Sequence, residues 1–163
     1  MRSVYFSFHY KDVWKVNQIR HSGVIVGPKS AGFADRSLWE QAKATSRRAL
    51  RDLIEEGLVG TSVTAVLIGR QTANREWVRY EINRSIERGN ALLGVHIHRV
   101  RDRNGTTTRR GEVPYLLKKH RAPIHDWTNV REFGEWVEEA YRGQKQEPTL
   151  LDHLGSALDW LWK

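Results

Sequence analysis

A chain of 163 residues, 39% apolar and 28% charged, has enough sequence for one compact domain with a real core. It contains no cysteine, which excludes disulfides, zinc–thiolate sites and thiol catalysis and leaves any metal to histidine and carboxylates. The net charge of +8 raises the question of nucleic acid, so the distribution of that charge matters more than its total.

The chain opens with Met1-Arg2 and runs straight into Val4 to Phe8, an apolar stretch that reads as a first strand and is too short for a signal sequence. An amphipathic segment from about Lys11 to Arg20 follows, with Val13, Val16 and Ile19 on successive turns. Val24 to Val26 reads as a short strand, and Gly27 to Ser37 as a long loop able to cover a pocket. A helix from about Ser46 turns Leu50, Leu53 and Ile54 inward and stops at Gly57, where glycine can take the left-handed cap. Val63 to Ile68 has the pattern of a strand buried on both faces.

The next helix begins near Asn74 or Arg75, with Thr72 and Asn74 both able to cap it, and ends at Arg88 before Gly89. Val78, Ile82 and Ile86 form its core stripe, while Trp77, Glu81, Arg84 and Arg88 fall on the adjoining face, placing Glu81 at the border of the core. Ala91 to Ile97 is a further strand. From Arg99 to Arg121, eight basic residues face two acidic ones, so six of the eight net charges fall in this segment. Asn104-Gly105 and three threonines mark its first half as a turn or mobile loop, solvated or attracting a phosphate-bearing ligand. No helix-turn-helix or aromatic-interleaved motif accompanies the charge, so no specific nucleic-acid partner is expected. Asn129 can cap a helix that buries Phe133, Val137 and Tyr141, with Glu132 completing a capping box. Residues 149–163 form an amphipathic pattern of Leu150, Leu154, Leu158 and Leu161 that packs on the domain or on a second copy. No stretch approaches the roughly 20 apolar residues of a membrane span, and the default location is the cytoplasm.

Strand-length runs alternating with helical segments argue an α/β domain around a mainly parallel sheet. In such sheets ligands bind outside the carboxyl ends of the strands. Trp77 and Glu81 lie one turn apart at the start of the helix that leaves the strand of Val63 to Ile68, so an indole and a carboxylate share a face close to that edge. A carboxylate there can stabilise a ribosyl cation or orient ribose hydroxyls, and the indole can stack on a flat cationic heterocycle. Glu81 can equally be a solvated helix residue paired with Arg84 or Ser85, and Trp77 a rim residue. Phe8 and His9 end the first strand at the same edge; Phe8 either lines the pocket or is plain core, and His9 either meets a ligand or sits at the surface. Asp35 and Arg36 can touch phosphate or ribose, or stay solvated in their loop. His96 and His98 share one face at period two, but no third ligand accompanies them, so no metal is expected.

The succession Val63 to Gly69, Thr72, Trp77-Val78-Arg79-Tyr80-Glu81-Ile82, Gly89 and Leu93-Gly94-Val95-His96-Ile97-His98, preceded by Val4-Tyr5-Phe6-Ser7-Phe8-His9-Tyr10, resembles the TIR-like domain of bacterial anti-phage Thoeris proteins of the ThsB type. The resemblance implies a flavodoxin-like, three-layer sandwich, with residues 1–163 as a single TIR-like domain. It implies cleavage of the nicotinamide glycosidic bond of NAD, which is substrate rather than cofactor, and formation of a cyclic ADP-ribose isomer that signals to a separate effector protein. It also implies assembly of copies in the active state. Glu81 carries over as the catalytic residue, and the alternative within the same fold is a catalytically silent interaction module.

Overall fold

The computed structural model describes residues 2–21 and 36–146. Four parallel strands form one sheet in the order β1 (Val4–Phe8), β2 (Val63–Ile68), β3 (Ala91–His96) and β4 (Ile124–Asp126). The helices are α1 (Val13–His21), α2 (Arg36–Thr45), α3 (Arg47–Leu58), α4 (Glu76–Glu87), α5 (Tyr115–Lys119) and α6 (Val130–Gln146). A 3-10 turn, Tyr10–Asp12, joins β1 to α1.

Period-two alternation along β1 divides the core into layers. Val4 and Phe6 face one side, where they meet Val16 and Ile19 of α1 and Phe133 and Val137 of α6. Tyr5 faces the other, against Leu50, Ile54 and Leu58 of α3. Val66 and Ile68 of β2 face that same side against Val78 and Ile82 of α4 and Leu117 of α5. The result is a helix–sheet–helix sandwich around a parallel sheet, as the alternation of elements implies, and of the flavodoxin-like type that the resemblance implies. Every residue of β2 is buried, which accounts for its uninterrupted apolar sequence.

The positions of β1, β2 and β3 match the sequence reading closely, β4 was not expected, and the other departures have local causes. Helix α3 is capped at Ser46, whose hydroxyl accepts from the Ala49 amide at 3.0 Å, but it continues past Gly57 to Leu58. Gly60, with φ of +75°, takes the left-handed position expected of Gly57. Arg36 and Ser37 belong to α2 rather than to a loop. Neither Thr72 nor Asn74 caps α4 with its side chain; the N-cap is Arg75, and the Thr72 hydroxyl instead accepts from the Gly69 amide at 2.9 Å, closing the turn after β2. Asn129 caps α6 by accepting from the Glu132 amide at 3.0 Å, while the Glu132 carboxylate turns to the Thr128 hydroxyl instead of completing the box. In the basic segment the structure shows the turn at Asn104-Gly105, one of the two readings, with the Gly105 amide donating to the Asp102 carbonyl at 3.0 Å. Asp102 accepts from the amides of Asn104 at 2.9 Å and Thr106 at 3.0 Å and from the Thr106 hydroxyl at 2.7 Å, and α5 and β4 occupy the region up to Asp126.

That segment also folds back over the strand ends. The Thr108 amide donates to the His98 carbonyl at 3.0 Å, and Lys15 reaches Thr108 from α1 at 3.2 Å. Gly69 is hemmed in from two directions. A Cβ there would overlap the Asp12 carboxylate, and a Cβ on Gly111 would overlap the Gly69 carbonyl. The expected strand at Val24 to Val26, the loop of residues 27–35 with Asp35, and the amphipathic tail lie outside the described residues.

Candidate active site

Helix α4 is seated on the sheet by small polar residues. The Thr64 hydroxyl of β2 donates to Ser85 at 2.7 Å, and Ser85 donates to the Glu81 carbonyl at 2.7 Å. On the α3 side, Glu55 receives Arg84, Arg88 at 3.3 Å and the Tyr80 hydroxyl at 3.5 Å. These attachments fix the angular setting of the helix and so direct Glu81 toward β1.

Glu81 is only 3% exposed, so it lies inside the buried layer rather than at its border. The Glu81 carboxyl does not form a solvated pair with Arg84 or Ser85: Arg84 pairs with Glu55 and Glu87, and Ser85 bonds the backbone of Glu81. The carboxyl instead receives the hydroxyl of Ser7 and lies against that of Tyr5, two alternate residues on one face of β1. Burial pushes its pKa up to about 8, against the lowering effect of the two hydroxyls. With that pKa the Glu81 carboxyl is mostly protonated at neutral pH.

Trp77 sits one turn earlier on α4, partly buried against the cluster formed by Tyr5, Leu50, Ile54 and Leu58. Its ring meets Tyr80 edge-on at 5.7 Å, and the Arg47 guanidinium lies 5.2 Å from its centroid. One face of the indole is thus already engaged by a cation. Phe8 is partly buried and packs against the clusters on both sides of the sheet. His9 is 5% exposed and not a surface residue. It stands edge-on to Tyr10 at 4.8 Å, and burial followed by the fields of Arg75, Lys11 and Lys43 lowers its pKa to about 4. Tyr5, Ser7, His9, Trp77 and Glu81 are therefore brought to one side of the sheet near the end of β1. Ser7 and Tyr5 were missed as site residues by the sequence reading; their signal was the shared face with His9, visible in the strand's alternation.

His96 and His98 meet edge-on at 5.9 Å, with His96 buried and its pKa lowered chiefly by that burial. Among the described residues no group of three histidines or carboxylates is arranged to hold a metal ion. A cleft of about 500 Å³ lies on the other side of α4, lined by Asn74, Val78, Arg79, Ile82, Pro114 and Tyr115, and does not include Glu81.

The family description "Thoeris protein ThsB, TIR-like domain" matches residues 5–102, which span β1 through β3 and all of the site residues just described. The chain belongs to this family. A Bacillus cereus (strain MSX-D12) protein named "Putative cyclic ADP-D-ribose synthase ThsB1" is 44% identical over 147 residues, covering 84% of this chain and 74% of that protein. The ThsB match thus confirms the resemblance carried by the Trp77 to Ile82 stretch, and the identity to the relative extends well beyond the matched domain into α5, β4 and α6. Among the described residues, no helix of this ThsB-family chain is long and apolar enough to cross a membrane.

Proposed function

We propose that this chain cleaves the nicotinamide glycosidic bond of NAD and closes the resulting ADP-ribosyl group on itself, releasing a cyclic ADP-ribose isomer as the messenger of a Thoeris anti-phage system. The observation that carries the reading is a carboxyl buried against two strand hydroxyls beside the end of β1 in a ThsB-type domain. The name of the relative, a cyclic ADP-D-ribose synthase, supports the same chemistry.

The steps follow from the charge at each stage. The nicotinamidium ring brings a positive charge to the site, which favours the carboxylate form of Glu81 over the protonated resting form. The C1′–N bond then breaks, its electron pair leaving with neutral nicotinamide, and positive charge develops on the ribosyl carbon. An anionic Glu81 beside that carbon stabilises it, and the effect is strong because water is excluded. A nucleophilic atom from the adenosine half of the same molecule attacks C1′ and releases a proton, closing the ring. A sealed site favours this internal acceptor over water. Copies of the chain assemble in the active state, and the product acts on a separate effector.

The alternative within the same fold is a silent TIR-like interaction module, in which the Glu81 carboxyl, 3% exposed, is a buried structural group. Glu81→Gln separates the two readings. It preserves shape and removes the charge, so conversion of NAD, followed by mass spectrometry of its nucleotide products, is expected to fall about 10²-fold or more with the fold intact. Unchanged conversion by a well-folded variant would reject Glu81 as the catalytic residue.

A further inference from the structure

We propose that the open half of the β3 edge, beside a cavity of about 380 Å³ next to α6, binds an extended acidic segment of a partner protein as an added strand. This surface adjoins the amino-terminal half of β3, away from the site residues at the end of β1, and does not depend on how that site is read.

Strand β3 runs from Ala91 to His96, whereas β4 has only Ile124 to Asp126 and pairs with Gly94, Val95 and His96. Along a strand between two parallel neighbours, alternate residues bond to opposite sides. The Ala91 amide donates to the Ser62 carbonyl on the β2 side and the Gly94 amide to the Pro123 carbonyl on the β4 side, so the N–H and C=O of Leu92 also point to the β4 side. Register continued back from Gly94 and Ile124 sets Ala122 opposite Leu92. Two features of the sequence end the ladder there. Pro123 stands where a donor to the Leu92 carbonyl is needed and has no N–H. Arg121, whose carbonyl would receive the Leu92 amide, leaves the strand direction at φ 52°. Among the described residues no bond from α5, β4 or α6 reaches the Leu92 backbone.

The cavity straddles this open edge. Ile86 and Leu92 line it on the α4 side of the sheet, Ala140 and Gly143 on the α6 side, and Arg121 and Glu139 are its charged walls. Gly143 leaves room, since a Cβ there meets nothing within 4 Å. The Arg121 amide donates to the Lys118 carbonyl at 3.1 Å and the Ala122 amide to that of Leu117 at 3.0 Å, the helix-ending pair of bonds whose left-handed position normally belongs to glycine. An arginine held there against its backbone preference, without an ion pair or side-chain hydrogen bond among the described residues, points to a ligand outside the domain. Lys118, Lys119 and Arg121 lead up to the open edge, exposed and unpaired among the described residues, and the cavity sets one carboxylate, Glu139, against them. A strand with acidic side chains complements that charge while its backbone satisfies Leu92. Residues 149–163 of the chain itself repeat leucine at helical spacing, which does not suit a strand.

The test uses the full chain and a fluorescent, end-capped heptapeptide of alternating valine and glutamate, with two controls: lysine in place of glutamate, and the glutamate peptide with N-methylated backbone amides. Fluorescence anisotropy is expected to show saturable binding of the glutamate peptide, about tenfold weaker binding of the lysine peptide and none of the methylated one. At saturation the Leu92 amide should exchange with solvent about tenfold more slowly, as followed by NMR. Arg121→Gly, which relieves the backbone, and Gly143→Leu, which fills the cavity, should each keep or raise the melting temperature while weakening the glutamate peptide about tenfold or more. The proposal is overturned if the parent does not bind the glutamate peptide, if the methylated peptide binds equally, if Leu92 exchange is unchanged, or if both variants bind like the parent. Self-association of the parent that Gly143→Leu abolishes would assign the edge to a second copy and equally overturn it.

Discussion

The Ser7 hydroxyl donates to the Glu81 carboxyl across 74 positions of sequence, in a contact that is wholly buried. It joins the first strand to the helix that follows the central one, and it makes the proton affinity of Glu81 depend on a residue of β1. Of the charges and dipoles around the carboxyl, the hydroxyls of Ser7 and Tyr5 are those that favour its ionised form.

Removing that support has a direction. Ser7→Ala takes away a hydrogen bond to the carboxylate, so the Glu81 pKa rises further above about 8. The acidic limb of the pH profile of kcat/KM for NAD should move to higher pH, with activity at pH 7 falling more than activity at pH 9. Parallel loss at both pH values would assign Ser7 to packing alone. Ser7→Thr, which keeps a hydroxyl, should restore much of the parental profile.

Glu81 also costs stability in a pH-dependent way. Its folded pKa of about 8 lies above the ordinary value of 4.5, so between these limits the folded protein holds a proton that the unfolded chain has lost. Stability is therefore greatest below about pH 4.5 from this group and declines as pH rises toward 8. Glu81→Gln removes the decline. The variant should melt above the parent at pH 9, by a gap that closes toward pH 5, as followed by circular dichroism.

Lowering the pH tests His9 with the opposite sign. Its folded pKa of about 4 lies below the ordinary 6.5, so the unfolded chain binds a proton first as pH falls through this window. The stability contributed by a neutral His9 is present above pH 6.5 and lost toward pH 4. His9→Gln should flatten the acid side of the melting profile, and an unchanged slope between pH 6.5 and 4 would contradict the lowering of the imidazole pKa by burial.

Gly69 and Gly111 should differ in how they can be rescued. Gly69→Ala meets the Asp12 side chain, whereas Gly111→Ala meets the backbone carbonyl of Gly69. Both are expected to destabilise by about 1–3 kcal/mol. Asp12→Ala should recover much of the first loss and little of the second, measured by urea unfolding of the single and double variants.

The basic segment invites a nucleic-acid assay. Its charge alone should give weak binding that disappears steeply with salt, without preference for sequence. Competition between unrelated duplexes at about 0.2 M salt is expected to show no selectivity, and selective binding that survives would assign the segment a specific reading role.

Much of the fold was legible because its signals are local. The apolar run of β2 is buried along its whole length, and the stripe of Val78 and Ile82 packs as its spacing implies. The end of α3 was not, because Gly57 and Gly60 both fit a cap and only the packing of Leu58 decides between them. Helix α5 and β4 were hidden in a segment dominated by charge, where five- and three-residue elements carry too little periodicity to declare themselves. At the site, Glu81 and Trp77 stood out by spacing on one helix. The partnership of Glu81 with Ser7 joins distant segments, and nothing in the spacing of either announces it.

Tyr80 and Arg84 of α4 and Arg88 at its C-cap converge on the single carboxylate of Glu55 in α3. They follow one another at helical spacing on both sides of Glu81, like teeth of a rack meshed with a neighbouring gear. A slide of α3 by one residue, about 1.5 Å, would therefore tend to roll α4 and draw Glu81 away from Ser7. The orientation of the Glu81 carboxyl is thus tied to the position of α3. A partner pressing on α3 would have mechanical purchase on the carboxyl without ever touching it.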